Sequence, residues 1–339
     1  MASIYVSRSL WEYKSRKLSY WFSACLSYIQ LYLVIRLERI FHPVVGILLA
    51  EHLGDIVAAE PIIDELRNKH PKARIIWIVK DIYKDLLENH PHIDHVITEK
   101  SLLTSIWLAE KNPFTYFYNL HMNDLRFDPY FKRSLFNPQA EVVGLNKTNY
   151  YTRGNLLRGI YDLCGIAYSE SKQPYLYLGE VKTTKLPADY WVIHRKSNGQ
   201  DREWQDEHWI KLIQEAIETY DVHVIEVGVS EALSINSPKF ISLVGKTNVS
   251  EMAKIIAGAN FFLGIDSGPA HIANAFEIPG LILLGDYKNF KNHMPYSGAY
   301  EKGRATIYHY PHGPSAEIPY ETVWQTLTNL KPMPERQLA

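Results

Sequence analysis

From residue 44 onward, short apolar runs of β-type residues alternate with segments whose apolar positions recur every three or four residues. That alternation demands a parallel sheet covered by helices. Residues 44–49, Val-Val-Gly-Ile-Leu-Leu, are unbroken in their apolar character and predict a strand buried on both faces. Ile56, Ala59, Ile63 and Leu66 follow at i, i+3, i+7 and i+10, one face of a helix. Residues 75–79 predict the next strand, 95–97 and 116–120 shorter ones, and 154–164 a closing helix. After Gln173-Pro174 and the polar stretch 182–187 the pattern restarts with a strand at 190–194. Trp209, Leu212, Ile213, Ala216 and Ile217 then mark a helix, residues 222–225 a strand, and Val249, Met252, Ala253 and Ile256 another helix, with strands at 261–264 and 281–284. The expectation is a pair of α/β domains, residues 41–180 and 181–339, facing across a cleft and preceded by a segment of residues 1–40. No short-period repeat is present, which excludes solenoids and propellers.

The leading segment has a different pattern. Residues 18–35 are 18 consecutive uncharged positions after Lys14, Arg16 and Lys17, about 27 Å as a helix and barely a bilayer core. Ser19, Ser23, Ser27 and Gln30 form a polar stripe, while three tyrosines and a tryptophan fall on the remaining face. Such an amphipathic helix with basic flanks fits the lipid headgroup layer through residues 16–36. The alternatives are a signal anchor and a helix packed on protein; no small-residue cleavage site follows the apolar run.

With 339 residues, 46% apolar and 22% charged, the chain has the composition of a folded globular protein and ample length for two cores. Lys and Arg total 36 against 37 Asp and Glu, so there is no global attraction to nucleic acid and any polyanion site is local. Two cysteines, Cys25 and Cys164, exclude a disulfide-stapled scaffold and a cysteine-ligated metal, and favour a reducing compartment.

Two strand-to-helix loops carry candidate chemistry. In the first, residues 51–55, Glu-His-Leu-Gly-Asp, Gly54 permits close approach to the backbone, and Asp55 either caps the helix or serves as a general base. In the second, residues 264–271, Gly-Ile-Asp-Ser-Gly-Pro-Ala-His, Ser267 and Gly268 suit an anion on a helix N-terminus, and His271 adds a donor. A capped turn with a surface histidine is the alternative there. His90, His92, Asp94 and His95 match no zinc spacing, so no metal site is expected. His121 and Arg126 follow a strand end and suit an acidic acceptor or ordinary loop capping.

Together, the Leu-Gly-Asp loop with Pro61, the late Gly-x-Asp-Ser-Gly-Pro-x-His-x-Ala run, Arg202-Glu203-Trp204 and residues 243–247, Leu-Val-Gly-Lys-Thr, resemble glycosyltransferase family 9, the ADP-heptose:lipopolysaccharide heptosyltransferases. The resemblance implies a GT-B fold of two Rossmann-like domains, the first binding acceptor and the second nucleotide sugar. It also implies inverting, metal-independent transfer, ADP-heptose as co-substrate with no cofactor, and a cell-envelope glycan or glycolipid acceptor at the cytoplasmic membrane face. Asp55 matches the family's catalytic base. Ser197, Asn198, Arg202, Glu226, Thr247, Asp266, Ser267, Gly268 and His271 match donor-binding positions, with Arg202 where the family carries a lysine. His52, Gly54, His121 and Arg126 fall to the acceptor side. The alternatives are a GT-B transferase using a UDP- or GDP-hexose, and a non-catalytic nucleotide-sugar-binding protein.

Overall fold

The computed structural model describes residues 2–169, 172–180, 185–286 and 293–330. Of the expected domain boundary at 182–187, residues 182–184 lie outside the described ones, as do residues 331–339 of the expected second domain.

The chain divides into two compact units. The first holds Met1–Glu51, Ile62–Tyr150 and Gly159–Tyr168; the second holds His52–Pro61, Tyr151–Arg158 and Ser169–Ala339. Two short excursions of the first half thus belong to the second unit, a division finer than one boundary near residue 180. No local pattern marks these excursions, because which unit a segment joins is decided by tertiary packing.

In the first unit, helix α1 (Ala2–Phe41) leads into strand β1 (Val44–Leu48), and after the excursion the chain re-enters as α3 (Ile62–Lys69) and β2 (Arg74–Lys80). Strand β3 (His95–Glu99), helix α4 (Leu102–Lys111) and strand β4 (Tyr116–Asn119) follow. These strands form a parallel sheet in the order β3-β2-β1-β4. Its core joins Val44, Leu48, Ile76, Ile78, Ile106 and Phe114 to Leu31 and Ile35 of α1. A short antiparallel pair, β5 (Phe127–Asp128) and β6 (Arg133–Ser134), and helix α5 (Pro138–Val142) complete the unit. The excursion itself carries α2 (Leu53–Ala59). The single helix expected over residues 56–66 is two, because Pro61 lacks the amide that would continue α2 and its ring crowds the preceding turn.

The division into units falls inside helix α6 (Leu156–Cys164). The second unit continues with β7 (Tyr190–His194), α7 (Asp206–Tyr220), β8 (His223–Glu226), β9 (Phe240–Ser242), α8 (Val249–Ala257), β10 (Phe261–Ile265), α9 (Gly268–Ala275), β11 (Gly280–Gly285), β12 (Ala305–Tyr310) and α10 (Tyr320–Asn329). Its parallel sheet runs β12-β11-β10-β7-β8-β9, with β7 and β10 at the centre. Strand order reverses about β7 and β10, and in open sheets such switch points are where ligands bind beyond the strand ends. Trp191, Trp204, Trp209, Phe261, Leu263, Leu281 and Leu283 fill the core.

The expected orientation of the N-terminal helix requires correction. Ser27 is buried and Tyr20 turns inward to donate to Asp128 Oδ2 at 2.5 Å, while Tyr28 packs edge-on against Trp107. Ser27 alone of the polar stripe, with Tyr20 and Tyr28 from the other face, therefore serves packing onto the first unit, while Ser19, Ser23 and Gln30 stay exposed.

Candidate active site

Apart from Glu51, both loops singled out by sequence lie in the second unit. At the start of α2, Asp55 Oδ2 accepts from the backbone N–H of His52 at 3.2 Å, and His52 Nδ1 stands 3.4 Å from the same oxygen. Capping and base roles are compatible, since the Asp55 side chain keeps 34% of its surface exposed while one oxygen caps. His52 is exposed beside it.

Helices α2 and α9 interlock through their glycines. A methyl built on Gly54 would stand 2.8 Å from His271 Cδ2, and one on Gly268 would stand 2.7 Å from Leu53 Cγ. The close approach that Gly54 allows is thus taken up by His271 itself. The pairing brings Asp55 and the Asp266–His271 loop into one neighbourhood.

The α9 N-terminus carries no side-chain cap. Ser267, in extended conformation, holds the cap position without capping, because its hydroxyl donates to Ile265 O at 3.1 Å and meets His194 Nδ1 at 3.0 Å. The side chain leaves the first-turn end of α9 uncapped, where the helix dipole favours negative charge. His194 is buried and its pKa is lowered to about 4 by burial first, then by Arg195 and Arg202, so it is neutral at physiological pH. Burial also lowers the pKa of His271, against the opposing pull of Asp266 and Asp55. The imidazole is therefore a neutral N–H donor toward an anion, not a cation.

Asp266 is buried and accepts from Tyr296 OH at 2.8 Å through Oδ1. The Tyr296 ring lies 4.6 Å from that of His271. Arg202 NH1 lies 3.9 Å from Asp266 Oδ2 and 3.4 Å from its carbonyl oxygen, which places a guanidinium at the loop. Ser197 Oγ donates to Gly199 O at 2.6 Å and its amide donates to Glu203, so Ser197 and Asn198 sit on an ordered loop leading to Arg202. Thr247 is half-buried just before Asn248, the N-cap of α8.

Glu226, one of the expected donor-binding positions, is engaged within the protein. It accepts from Arg195 Nε at 2.8 Å, from Ser242 Oγ at 2.8 Å and from the Leu233 amide at 3.1 Å, with both Arg195 and Glu226 buried. Arg195 also donates to Asp206 at 2.7 Å. Both Glu226 oxygens are thus engaged in bracing the loops around β7 and β8.

In the first unit, His121 and Arg126 are buried at the strand ends. His121 Nε2 accepts from the Ala50 amide at 3.0 Å. Arg126 grips Glu99 with two bonds of 2.9 and 2.6 Å and donates to Glu51 at 2.9 Å, while Lys80 pairs with Glu51 and Ser105 donates to Glu99. Burial opposes the arginine's charge, but Glu99 and Glu51 outweigh it and hold its pKa above the usual value. These two residues brace the end of β1, His121 through the Ala50 amide and Arg126 through Glu51. The histidine-rich stretch resolves into separate pairs: Asp94 takes Arg67 at 2.7 Å and Arg74 at 2.6 Å, and His92 takes Asp64.

Sequence reasoning missed Tyr296 and Glu99. Tyr296 follows Pro295 in an irregular stretch with no motif of its own. Glu99 left one signal, a carboxylate closing an apolar strand just before the Ser101 helix cap, which buries only if a cation meets it.

Residues 167–314 match the family model described as glycosyltransferase family 9 (heptosyltransferase). The lipopolysaccharide heptosyltransferase 1 of Campylobacter coli is 21% identical over 296 residues, 73% of this chain and 85% of that protein. The family 9 glycosyl transferase structure from Veillonella parvula superposes with a TM-score of 0.62 at 15% identity, covering 85% of this chain and 97% of that one. The ADP-heptose lipopolysaccharide heptosyltransferase II of Escherichia coli gives 0.58 at 15% identity, covering 85% and 98%. These likenesses establish the shared GT-B fold.

Proposed function

We propose that this chain, a heptosyltransferase-like glycosyltransferase of family 9, moves a heptose from ADP-heptose to a lipopolysaccharide-type acceptor at the cytoplasmic face of the membrane. Transfer is a single inverting displacement that needs no metal ion. The observation carrying this reading is the interlock of α2 and α9 through Gly54 and Gly268, which holds a part-exposed carboxylate beside an uncapped helix N-terminus.

Asp55 takes the proton of the acceptor hydroxyl as its oxygen bonds to the anomeric carbon. The bond from that carbon to the β-phosphate oxygen breaks, and ADP leaves with the electron pair. Negative charge growing on the diphosphate meets the Gly268 amide at the α9 N-terminus, the Arg202 guanidinium and the His271 N–H. Asp266 orients Arg202 and is itself fixed by Tyr296. Ser197, Asn198 and Thr247 hold the nucleotide, and Glu226 supports their loops. His52 and Gly54 flank the acceptor at Asp55.

The test is ADP, UDP or GDP release from ADP-heptose, UDP-glucose and GDP-mannose by the purified full chain, with and without EDTA. The expected result is turnover of ADP-heptose alone, unchanged by EDTA and reduced about a hundredfold or more in Asp55→Asn. Turnover of UDP-glucose or GDP-mannose instead would remove the heptose assignment and keep the fold. Undiminished turnover in Asp55→Asn would remove the base.

A further inference from the structure

Helix α1 is amphipathic in an inverted sense. Ala24, Ser27, Leu31 and Ile35 are buried on the first unit, and Arg39 donates to Pro113 O at 2.7 Å. About half a turn away, Leu18, Phe22, Leu26, Ile29, Leu33, Leu37 and Ile40 form a second apolar row, and each keeps 52–68% of its surface exposed. From Leu18 to Ile40 the row runs about 33 Å. Soluble helices put charge on that side; here a folded protein presents a continuous aliphatic ridge to solvent.

We propose that this outer face of α1 docks the protein flat on an anionic lipid bilayer. Charge supports a bilayer. Between residues 13 and 41 the cations stand only at the two ends, Lys14, Arg16 and Lys17 before the row and Arg36 and Arg39 near its close. The one acid, Glu38, is drawn to the domain by His95 at 3.2 Å and Arg74 at 4.0 Å. Lys17 and Arg39 are held by the domain, so the helix offers apolar bulk to acyl chains and Lys14, Arg16 and Arg36 to headgroup phosphates.

Spacing argues against a left-handed pairing with a second copy of the helix. The intervals along the row are 4, 4, 3, 4, 4 and 3, a mean of about 3.67 residues, whereas a left-handed helix pair needs about 3.5. At 3.67 the ridge stays nearly parallel to the helix axis and meets a plane along its whole length.

Packing argues against spanning. Lys17 sits 4.6 Å over the Phe131 ring, Tyr20 bonds Asp128, Tyr28 meets Trp107, and Leu31 and Ile35 enter the core. A spanning α1 would have to surrender all of these or drag Asp128 and its partners into hydrocarbon. The dock is independent of which sugar is transferred.

The test is flotation of the full chain with vesicles of phosphatidylglycerol and phosphatidylethanolamine at 3:7, compared with Leu26→Glu/Leu33→Glu. Both sites are exposed, so the variant's unfolding temperature should match the parent's. The expected result is parental flotation that alkaline carbonate reverses, with partitioning at least about tenfold lower in the variant. Absence of parental flotation, equal flotation of the variant, or retention through the carbonate wash would each overturn the proposal. So would a lipid-free dimer in sedimentation velocity that the double substitution dissociates, since that assigns the ridge to a second copy.

Discussion

Replacing Gly268 by alanine tests the interlock on which the site depends. The added methyl would stand 2.7 Å from Leu53 Cδ2 and Cγ and 2.8 Å from Leu53 Cβ. Comfortable carbon contact is about 3.5–4.0 Å, so roughly 0.7–1.3 Å of separation must be found. A rotamer change can move the two outer atoms, but Cβ moves only with the α2 backbone. Overpacking of this kind costs about 1–3 kcal/mol, against a gain of at most about 1 kcal/mol for alanine over glycine, less in a first turn. The expected net loss is about 1–2 kcal/mol, which for a unit of this size lowers Tm by roughly 2–8 °C. Because the same displacement moves the α9 N-terminus from Asp55, kcat/KM for donor turnover should fall about ten- to a hundredfold. Differential scanning calorimetry and a donor-turnover assay measure both effects. A variant with unchanged Tm and unchanged kcat/KM would refute the packing of α2 on α9.

Two further outcomes follow from buried charge. Arg126→Met leaves Glu99 buried without its cation and should cost about 3–5 kcal/mol in urea unfolding, much of it recovered in Arg126→Met/Glu99→Gln; an additive double variant would show the pair to be uncoupled. For His194, the folded pKa of about 4 lies below the unfolded value of about 6.5, so the unfolded chain binds the extra proton between them. Stability from this group is fully present above about pH 6.5 and is lost as pH falls toward 4, with a limiting slope of about 1.4 kcal/mol per pH unit. In His194→Gln that slope should flatten in denaturant melts at pH 4.5, 5.5 and 6.5, and an unaltered slope would assign it to other groups.

The strands were legible because a parallel strand covered on both faces is a continuous apolar run: residues 190–194 and 75–79 needed no tertiary information. The break at Pro61 was legible too, had ring geometry been weighed above periodicity. The two loops announced themselves by topology and motif, yet the use of their glycines did not. Gly54 and Gly268 read as room for a ligand, whereas each admits a side chain of the other helix. In sequence His121, Arg126 and Glu226 are polar groups at strand ends, and whether such groups face a ligand or each other depends on partners 7 to 75 residues distant. In α1 the helix has two apolar faces, and only packing decides which one the domain covers.

Heptose transfer itself is the most direct measure of the account. Incubated with ADP-heptose and a heptose-free lipopolysaccharide acceptor, the full chain should add one heptose mass to the acceptor, and Asp55→Asn should not. An acceptor left unmodified by the parent protein, or modified equally by Asp55→Asn, would contradict it.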